Sequence, residues 1–430
     1  MNHYRVIFFI LLAVTALILC GCTQPTDPDN DSPHYGWPGP GVQTASSNSP
    51  IMANVDFGYV DLTDPQTREQ MAKADLLVLE TSMYWSPLYN EGTFAEVRAL
   101  HPNIKIVAYN CAHGTWARWG DVDPELQPFG YDWYTALRPY WTYTTTGDTM
   151  MTWTGRIAVN ILDPNCRAAM IGVLLEHAPR WSNRFDGVFW DHFNEFLWIP
   201  DYIPNLEGEM DLDEDGIPHR EDEDEMAAYR LASENLIQEV RAAFGDDFIQ
   251  IVNGGRALVD SVFASMVDGM FYEHFPEAGF WGADVLADCL DPTVPNNLLA
   301  AKHWPRTRNG GPWLILSNER IFRFMDPYSQ FIDYRFAEWN RVIALLAGVT
   351  VCYHSDDELM HWGWPEVELQ LGQSLGGMTR VDNTYSRAFE HGSVTMTLTP
   401  QRGVAPDAIT FEIIQDGEVV QSYDFPEHFP

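Results

Sequence analysis

Basic residues are scarce: 25 Lys and Arg stand against 61 Asp and Glu in 430 residues, a formal charge of −36. That imbalance excludes a nucleic-acid binder, because a phosphate backbone would be repelled. It also excludes docking on anionic lipid through a basic face. Cysteine is rare, with six in the chain. Cys111, Cys166, Cys289 and Cys352 match no metal-ligand spacing, and an exported chain permits either disulfides or buried thiols among them. No H-E-x-x-H occurs and no G-x-S-x-G, which removes the usual helix-borne zinc site and the serine nucleophile elbow. No G-x-G-x-x-G or phosphate loop follows the first strand, so a dinucleotide fold lacks its signature. What is abundant is apolar and aromatic: hydrophobic residues make up 46% and Phe, Trp and Tyr 13%, which excludes an intrinsically disordered chain.

One long apolar run exists, Val6 to Leu19, preceded by Arg5. It is long enough for a signal-peptide core and short for a membrane span. It ends in Leu19-Cys20-Gly21-Cys22, which resembles a bacterial lipobox. The resemblance implies cleavage before Cys22 and lipidation of its thiol, so residues 1–22 read as a lipoprotein signal. The expected address is the bacterial cell envelope, lipid-anchored and facing away from the cytoplasm. Residues 23–50 are rich in Pro, Ser, Thr, Asn, Asp and Gly and read as a flexible tether.

From residue 51 the pattern becomes regular. Short apolar runs at Ile51–Phe57, Leu76–Glu80, Ile104–Asn110, Gly187–Asp191, Phe248–Asn253, Gly269–Glu273, Trp313–Asn318 and Val349–Tyr353 predict eight strands. Helical spacing of apolar residues lies between them, at Thr67–Ala74, Thr93–Leu100, Asn165–His177, Glu225–Phe244, Leu258–Met266 and Tyr328–Ala347. Strand, helix, strand, repeated, implies parallel pairing with crossovers. The fold class expected over residues 51–376 is therefore α/β, a (β/α)8 TIM barrel. Residues 377–430 alternate over short runs with His391-Gly392 and Asp416-Gly417 as turns. They predict a small C-terminal antiparallel β module, sandwich-like in character.

In such a barrel the loops at the C-terminal strand ends build the active site. The predicted ends carry Asp56, Glu80, Asn110, Asp191, Asn253, Glu273, Asn318 and His354. Each alone is explained by helix capping or loop hydrogen bonding. Together they concentrate carboxylates at one face. Two ends share a pattern: Asp186-Gly187-Val188-Phe189-Trp190-Asp191 and Asp268-Gly269-Met270-Phe271-Tyr272-Glu273. The opening Asp and the closing acid are an odd number of residues apart and so face opposite ways. The opening Asp is placed to fix the strand's bottom, and the closing acid to reach its top. Two carboxylates flanking one pocket suit glycosidic hydrolysis: one protonates the leaving oxygen, the other attacks the anomeric carbon or activates water.

The eight-strand series, the paired Asp-Gly motifs and the trailing β module resemble the glycoside hydrolase barrels described as hypothetical glycosyl hydrolase family 15. They are more distantly similar to the alpha-galactosidase and endo-polygalactosaminidase barrels. The resemblance spans roughly residues 52–399. The more distant likeness implies Asp191 as nucleophile and Glu273 as acid/base, and the function expected is a surface-anchored glycosidase acting on an extracellular or cell-envelope polysaccharide or oligosaccharide.

Trp116 and Trp119, in the loop after the third strand, are candidate sugar-stacking platforms. Asp56, Glu80, Asn110, Asn253, Asn318 and His354 are candidate substrate contacts by strand position. The run Asp211-Leu212-Asp213-Glu214-Asp215-Gly216-Ile217 through Asp222 matches D-x-D-x-D-G with a carboxylate at position twelve. Asp211, Asp213, Asp215, the Ile217 carbonyl and Asp222 would wrap a structural calcium ion. No cofactor is expected for catalysis. Two other functions compete. One is a carbohydrate-binding lipoprotein on a degenerate barrel. The other is a metal-dependent hydrolase using His192, His274 and His354, although the first strand has no His-x-His pair.

Overall fold

The computed structural model describes residues 52–56, 62–80, 91–153, 155–181, 184–191, 193, 210–219, 221–254, 260–272, 313–316, 334–352, 369–399 and 408–425. The signal, the lipobox Cys22 and the tether lie outside these residues. Among the described residues no helix is long and apolar enough to cross a membrane.

Eight parallel strands form the central sheet. They are β1 (Met52–Asp56), β2 (Leu76–Glu80), β3 (Lys105–Cys111), β7 (Gly187–Asp191), β8 (Ile249–Asn253), β9 (Gly269–Tyr272), β10 (Trp313–Leu316) and β11 (Thr350–Cys352). Their hydrogen-bonded order is β1-β11-β10-β9-β8-β7-β3-β2, and β1 pairs with both β2 and β11, which closes the sheet. Helices α1 (Pro65–Met71), α2 (Glu91–Leu100), α4 (Pro164–Trp181), α5 (Glu223–Phe244), α6 (Ser261–Met266) and α7 (Tyr334–Ala347) occupy crossovers. The crossover after β9 and the segment directly after β11 lie outside the described residues.

Strands β2, β3, β7, β8 and β9 are apolar on both faces because both faces are buried. Leu76, Val78, Val107, Tyr109, Phe189, Ile251 and Phe271 pack together in the lumen. Their neighbours Leu77, Leu79, Ile106, Ala108, Val188, Trp190, Val252 and Met270 pack outward against the helices. This alternation decides which strand-end residues reach the mouth.

The bottom of the barrel explains both Asp-Gly pairs. Asp186 Oδ2 accepts from the Ile106 amide and from Arg98, each at 2.9 Å. Asp268 Oδ2 accepts from the Gln250 amide at 2.8 Å and from Arg241 at 2.7 Å. Each Asp thus ties its own strand to the neighbouring strand and to an arginine on the helix before it. Glycine must follow Asp186, since a Cβ at Gly187 would lie 2.0 Å from the Ile249 carbonyl oxygen.

An insertion interrupts the crossover between β3 and α4. It holds α3 (Pro128–Leu137) and three short strands, β4 (Gly114–Trp116), β5 (Met151–Trp153) and β6 (Arg156–Ala158), in an antiparallel sheet of order β4-β6-β5. The sequence reading expected only a loop here.

After the barrel comes one five-stranded antiparallel sheet: β12 (Thr379–Val381), β13 (Thr384–Phe389), β14 (Gly392–Thr399), β15 (Ala408–Gln415) and β16 (Glu418–Phe425). The Asp416-Gly417 turn is seen, with φ of 53° and 85°. The β13–β14 hairpin turns one residue earlier than expected, at Glu390-His391, because Gly392 already pairs with Phe389.

Candidate active site

Asp191 ends β7 at the barrel mouth and is buried. Lumen parity places it there, two residues beyond Phe189. Its carboxylate is gripped from three elements. Asn253, ending β8, donates to Oδ1 at 2.9 Å. Arg156, opening β6 in the insertion, donates from Nη1 to Oδ2 at 3.0 Å. The Tyr109 hydroxyl of β3 donates to the same Oδ2. Arg156 Nη2 also donates to the Tyr109 oxygen at 2.9 Å, so Arg156, Tyr109 and Asp191 form a closed triangle.

The electrostatics agree with those roles. Burial pushes the Tyr109 phenol well above its ordinary value, with Arg156 opposing and Asp191 and Cys111 adding to the rise. Tyr109 therefore stays protonated and remains a donor. Burial disfavours the charge on Arg156, but the balance is upward, and near neutral pH the Asp191 carboxylate beside it holds the guanidinium charged. Donors on both oxygens favour the ionised carboxylate. Such a group can stabilise or capture positive charge at an anomeric carbon, and it is ill suited to giving up a proton.

The other expected site residues divide. Glu80 ends β2 and is buried on the lumen parity of Leu76 and Val78. Asp56 ends β1, but its side chain lies outside the described set. Glu273, Asn318 and His354, with His192 and His274, also lie outside the described residues. Asn253 reaches the mouth, yet its amide serves Asp191.

Two expectations are corrected. Asn110 is not on the lumen face: Tyr109 takes that position, and Asn110 alternates outward with its Oδ1 on the Cys111 amide at 2.9 Å. Trp119 is no open platform. It is buried in the core, edge-on to Phe129 and packed over Gly130. Trp116 is half-buried, and its ring carries two guanidiniums, Arg156 at 4.4 Å and Arg118 at 4.7 Å from the centroid.

Sequence reasoning missed Arg156 and Tyr109. A tyrosine inside an apolar strand reads as core, and a lone arginine in a polar stretch reads as surface. The signal for Arg156 was faint: a basic residue opening an apolar run, Ile157-Ala158-Val159, in a chain poor in base. Cys111 and Cys166 are buried free thiols. Burial pushes Cys166 up to about 12, which keeps it inert.

The acidic run folds as a tight loop with Glu214 and Gly216 in left-handed conformation. Ligand oxygens of Asp213, Asp215 and Asp222 lie within 4.8 Å of one another, as do those of Asp211, Asp213 and Glu225. That donor set fits a hard cation. The loop is also pinned internally. Asp211 accepts the amides of Asp215 and Gly216, at 3.2 and 2.8 Å. Asp222 caps α5 through the amides of Asp224 and Glu225, at 2.9 and 3.0 Å. Glu225 lies beyond the twelve-residue motif. It accepts the amides of Leu212 and Asp213, at 2.7 and 2.9 Å, and pairs with His219.

Solved structures similar to this chain are glycoside hydrolases at low identity. The GH36 alpha-galactosidase AgaA of Geobacillus stearothermophilus, in complex with raffinose, is 9% identical with a TM-score of 0.44, over 88% of this chain and 54% of that one. Ega3 of Aspergillus fumigatus, in complex with galactosamine, is 14% identical with a TM-score of 0.30, over 55% of this chain and 69% of that one. The cyclic alpha-maltosyl-(1-->6)-maltose hydrolase of Arthrobacter globiformis, in complex with maltose, is 13% identical with a TM-score of 0.42, over 94% and 95%. The chain spans about half the length of the alpha-galactosidases it matches. No curated protein matches it. The family model of hypothetical glycosyl hydrolase family 15 matches residues 98–393, well over half of the 430, and the chain belongs to that family.

Proposed function

We propose that the chain is a lipid-anchored glycoside hydrolase that cleaves a polysaccharide outside the cytoplasm with Asp191 and Glu273 as its carboxylate pair. One observation carries the reading: at the barrel mouth, the Asp191 carboxylate accepts hydrogen bonds from Arg156, Tyr109 and Asn253, on both of its oxygens. In this reading Asp191 attacks the anomeric carbon and Glu273 protonates the departing glycosidic oxygen. Water, deprotonated by the same Glu273, then releases the sugar from Asp191. In sequence Glu273 directly follows Tyr272 of β9, and β9 lies two strands along the sheet from β7, which supports the pairing.

The anchor rests on Leu19-Cys20-Gly21-Cys22 and the tether behind it. The calcium proposal rests on the loop Asp211–Asp222, with Glu225 added as the residue that fixes its backbone. The carbohydrate-binding alternative would use the same aromatic platforms as the enzyme, and the presence of both Asp191 and Glu273 favours the enzyme.

The test is hydrolysis of a polysaccharide and aryl-glycoside panel by the wild type, Asp191→Asn and Glu273→Gln. Product from the wild type and from neither variant supports the pair. Activity surviving in both variants removes it. Glycan binding without hydrolysis would favour the binding-protein alternative.

A further inference from the structure

We infer that Arg156 is a positioning residue for Asp191, and that the insertion between β3 and α4 completes a site the barrel strands leave open. The inference deepens the reading of Asp191 given above and rests on it. Arg156 is 2% exposed, and its fork spans two acceptors at once, Asp191 Oδ2 at 3.0 Å and the Tyr109 oxygen at 2.9 Å. A lysine ammonium is a point donor on a flexible stem and does not reproduce that planar span. The guanidinium also stacks, with its carbon 4.4 Å from the Trp116 ring centroid and 5.8 Å from that of Tyr109.

The insertion is built to deliver this side chain. Trp116 of β4 and Arg156 of β6 are register partners, so the cross-strand pair sets the indole against the guanidinium. The β4–β6 pairing is continued by the Val159 amide on the His113 carbonyl at 2.9 Å, two residues past the end of β3. The sheet is tied to the acidic loop by Asn160 Nδ2 on the Leu212 carbonyl at 2.8 Å and by the Thr144–Met210 bridge. Arg156 therefore arrives on a braced scaffold. An unbraced arginine would lose most of its orienting value to side-chain entropy.

Among the described residues, the groups facing Asp191 are Tyr109 and Cys111 from β3, Arg156 from the insertion and Asn253 from β8. Of these only Arg156 is a cation. Removing it leaves a buried carboxylate with neutral donors, and its protonation midpoint moves up by about one to three units.

The experiment reads Asp191 directly and needs no substrate. The full chain is labelled with carboxyl-13C aspartate, and the infrared difference between wild type and Asp191→Asn isolates the Asp191 carboxylate band. Its titration is then followed in wild type, Arg156→Gln and Arg156→Lys, each checked for cooperative unfolding. A raised midpoint in Arg156→Gln, with a smaller rise in Arg156→Lys, is expected. An unchanged midpoint in folded Arg156→Gln overturns the inference. If that variant does not fold, an unchanged midpoint in Arg156→Lys overturns it. On any aryl glycoside the wild type cleaves, kcat should fall about 10- to 100-fold with little change in KM. If the wild type cleaves none, the glycosidase reading fails while the titration still decides the role of Arg156.

Discussion

The guanidinium of Arg156 meets the carboxylate of Asp191 at 3.0 Å although 35 residues separate them in sequence. One sits on a barrel strand and the other on a sheet inserted into a crossover. The chemistry proposed for this chain is thus shared between scaffold and insertion. In a barrel of this kind the strands fix where a side chain emerges, and the loops fix what surrounds it.

Tyr109 is the third corner of that arrangement, and Tyr109→Phe tests it. The variant keeps the stacked ring against Phe189 and removes one donor from a buried carboxylate. It also strands one arm of Arg156. A hydrogen bond to a charged group contributes about 1.5–3 kcal/mol, so turnover should fall roughly 10- to 100-fold. Steady-state kinetics on the cleaved substrate checks this, and an unaltered kcat would show that Tyr109 is core alone.

The two Asp-Gly openings predict a difference in stability. Asp268 is fully buried at its side chain and pairs with an Arg241 that is 13% exposed, whereas Asp186 and Arg98 are 28% and 27% exposed. Breaking a buried pair leaves an uncompensated charge and costs about 3–5 kcal/mol. A half-solvated partner is rescued by water, and the loss is nearer 1 kcal/mol. Urea unfolding should therefore find Asp268→Ala the more damaging of the two. Equal losses would mean that the backbone bonds to Ile106 and Gln250, not the arginines, dominate.

These motifs also show what the sequence made legible. Gly187–Asp191 was predicted with its observed ends, because a strand buried on both faces is a continuous apolar run. The opening Asp residues stand one position before their strands, and they do sit at the bottom, bonded to the neighbouring strand. Asn110 was misplaced by one residue, and one residue reverses a strand's face. Counting in twos from Val107 leads to Tyr109, a residue of the site. The insertion was illegible for a different reason. Its strands are three residues long, too short to show a period, and Arg156 acquires meaning only through its register with Trp116.

Gly348 and Arg387 should behave as one unit. Gly348 closes α7 with φ of 73°, a conformation that disfavours any side chain. A Cβ there would lie 2.3 Å from Arg387 Nη1. From that position Arg387 bonds the Leu345 carbonyl at 3.0 Å, the Gly376 carbonyl at 3.1 Å and Ser374 Oγ at 2.9 Å, joining α7 to the C-terminal sheet. Gly348→Ala and Arg387→Ala should each cost about 2 kcal/mol, through backbone strain in the first and lost hydrogen bonds in the second. Because Gly348→Ala also displaces Arg387, the double variant should lose less than the two losses combined. Additive losses would show that Arg387 can move aside at no cost.

The acidic loop gives a prediction with a definite sign. Asp213 is solvent-exposed, and its protonation is raised by local desolvation and by the neighbouring Asp215, Glu225 and Asp222, against one lowering bond from the Asp215 amide. A carboxylate raised in the folded state holds a proton that the unfolded chain has already lost. Stability from this group is therefore present below its ordinary value of 3.8 and falls as pH rises through the raised folded value. A bound calcium ion reverses that preference, since it binds the ionised oxygens. The melting temperature measured from pH about 3.5 to 7 should thus separate into two curves, one in calcium and one in chelator, diverging as pH rises. Asp213→Asn removes one mutual repulsion and one ligand together. It should raise the chelator curve and bring the calcium curve down to meet it. Magnesium, which holds its waters in a smaller octahedron, should substitute poorly. Coincident curves for the wild type in calcium and chelator at every pH would leave the loop as a purely hydrogen-bonded turn.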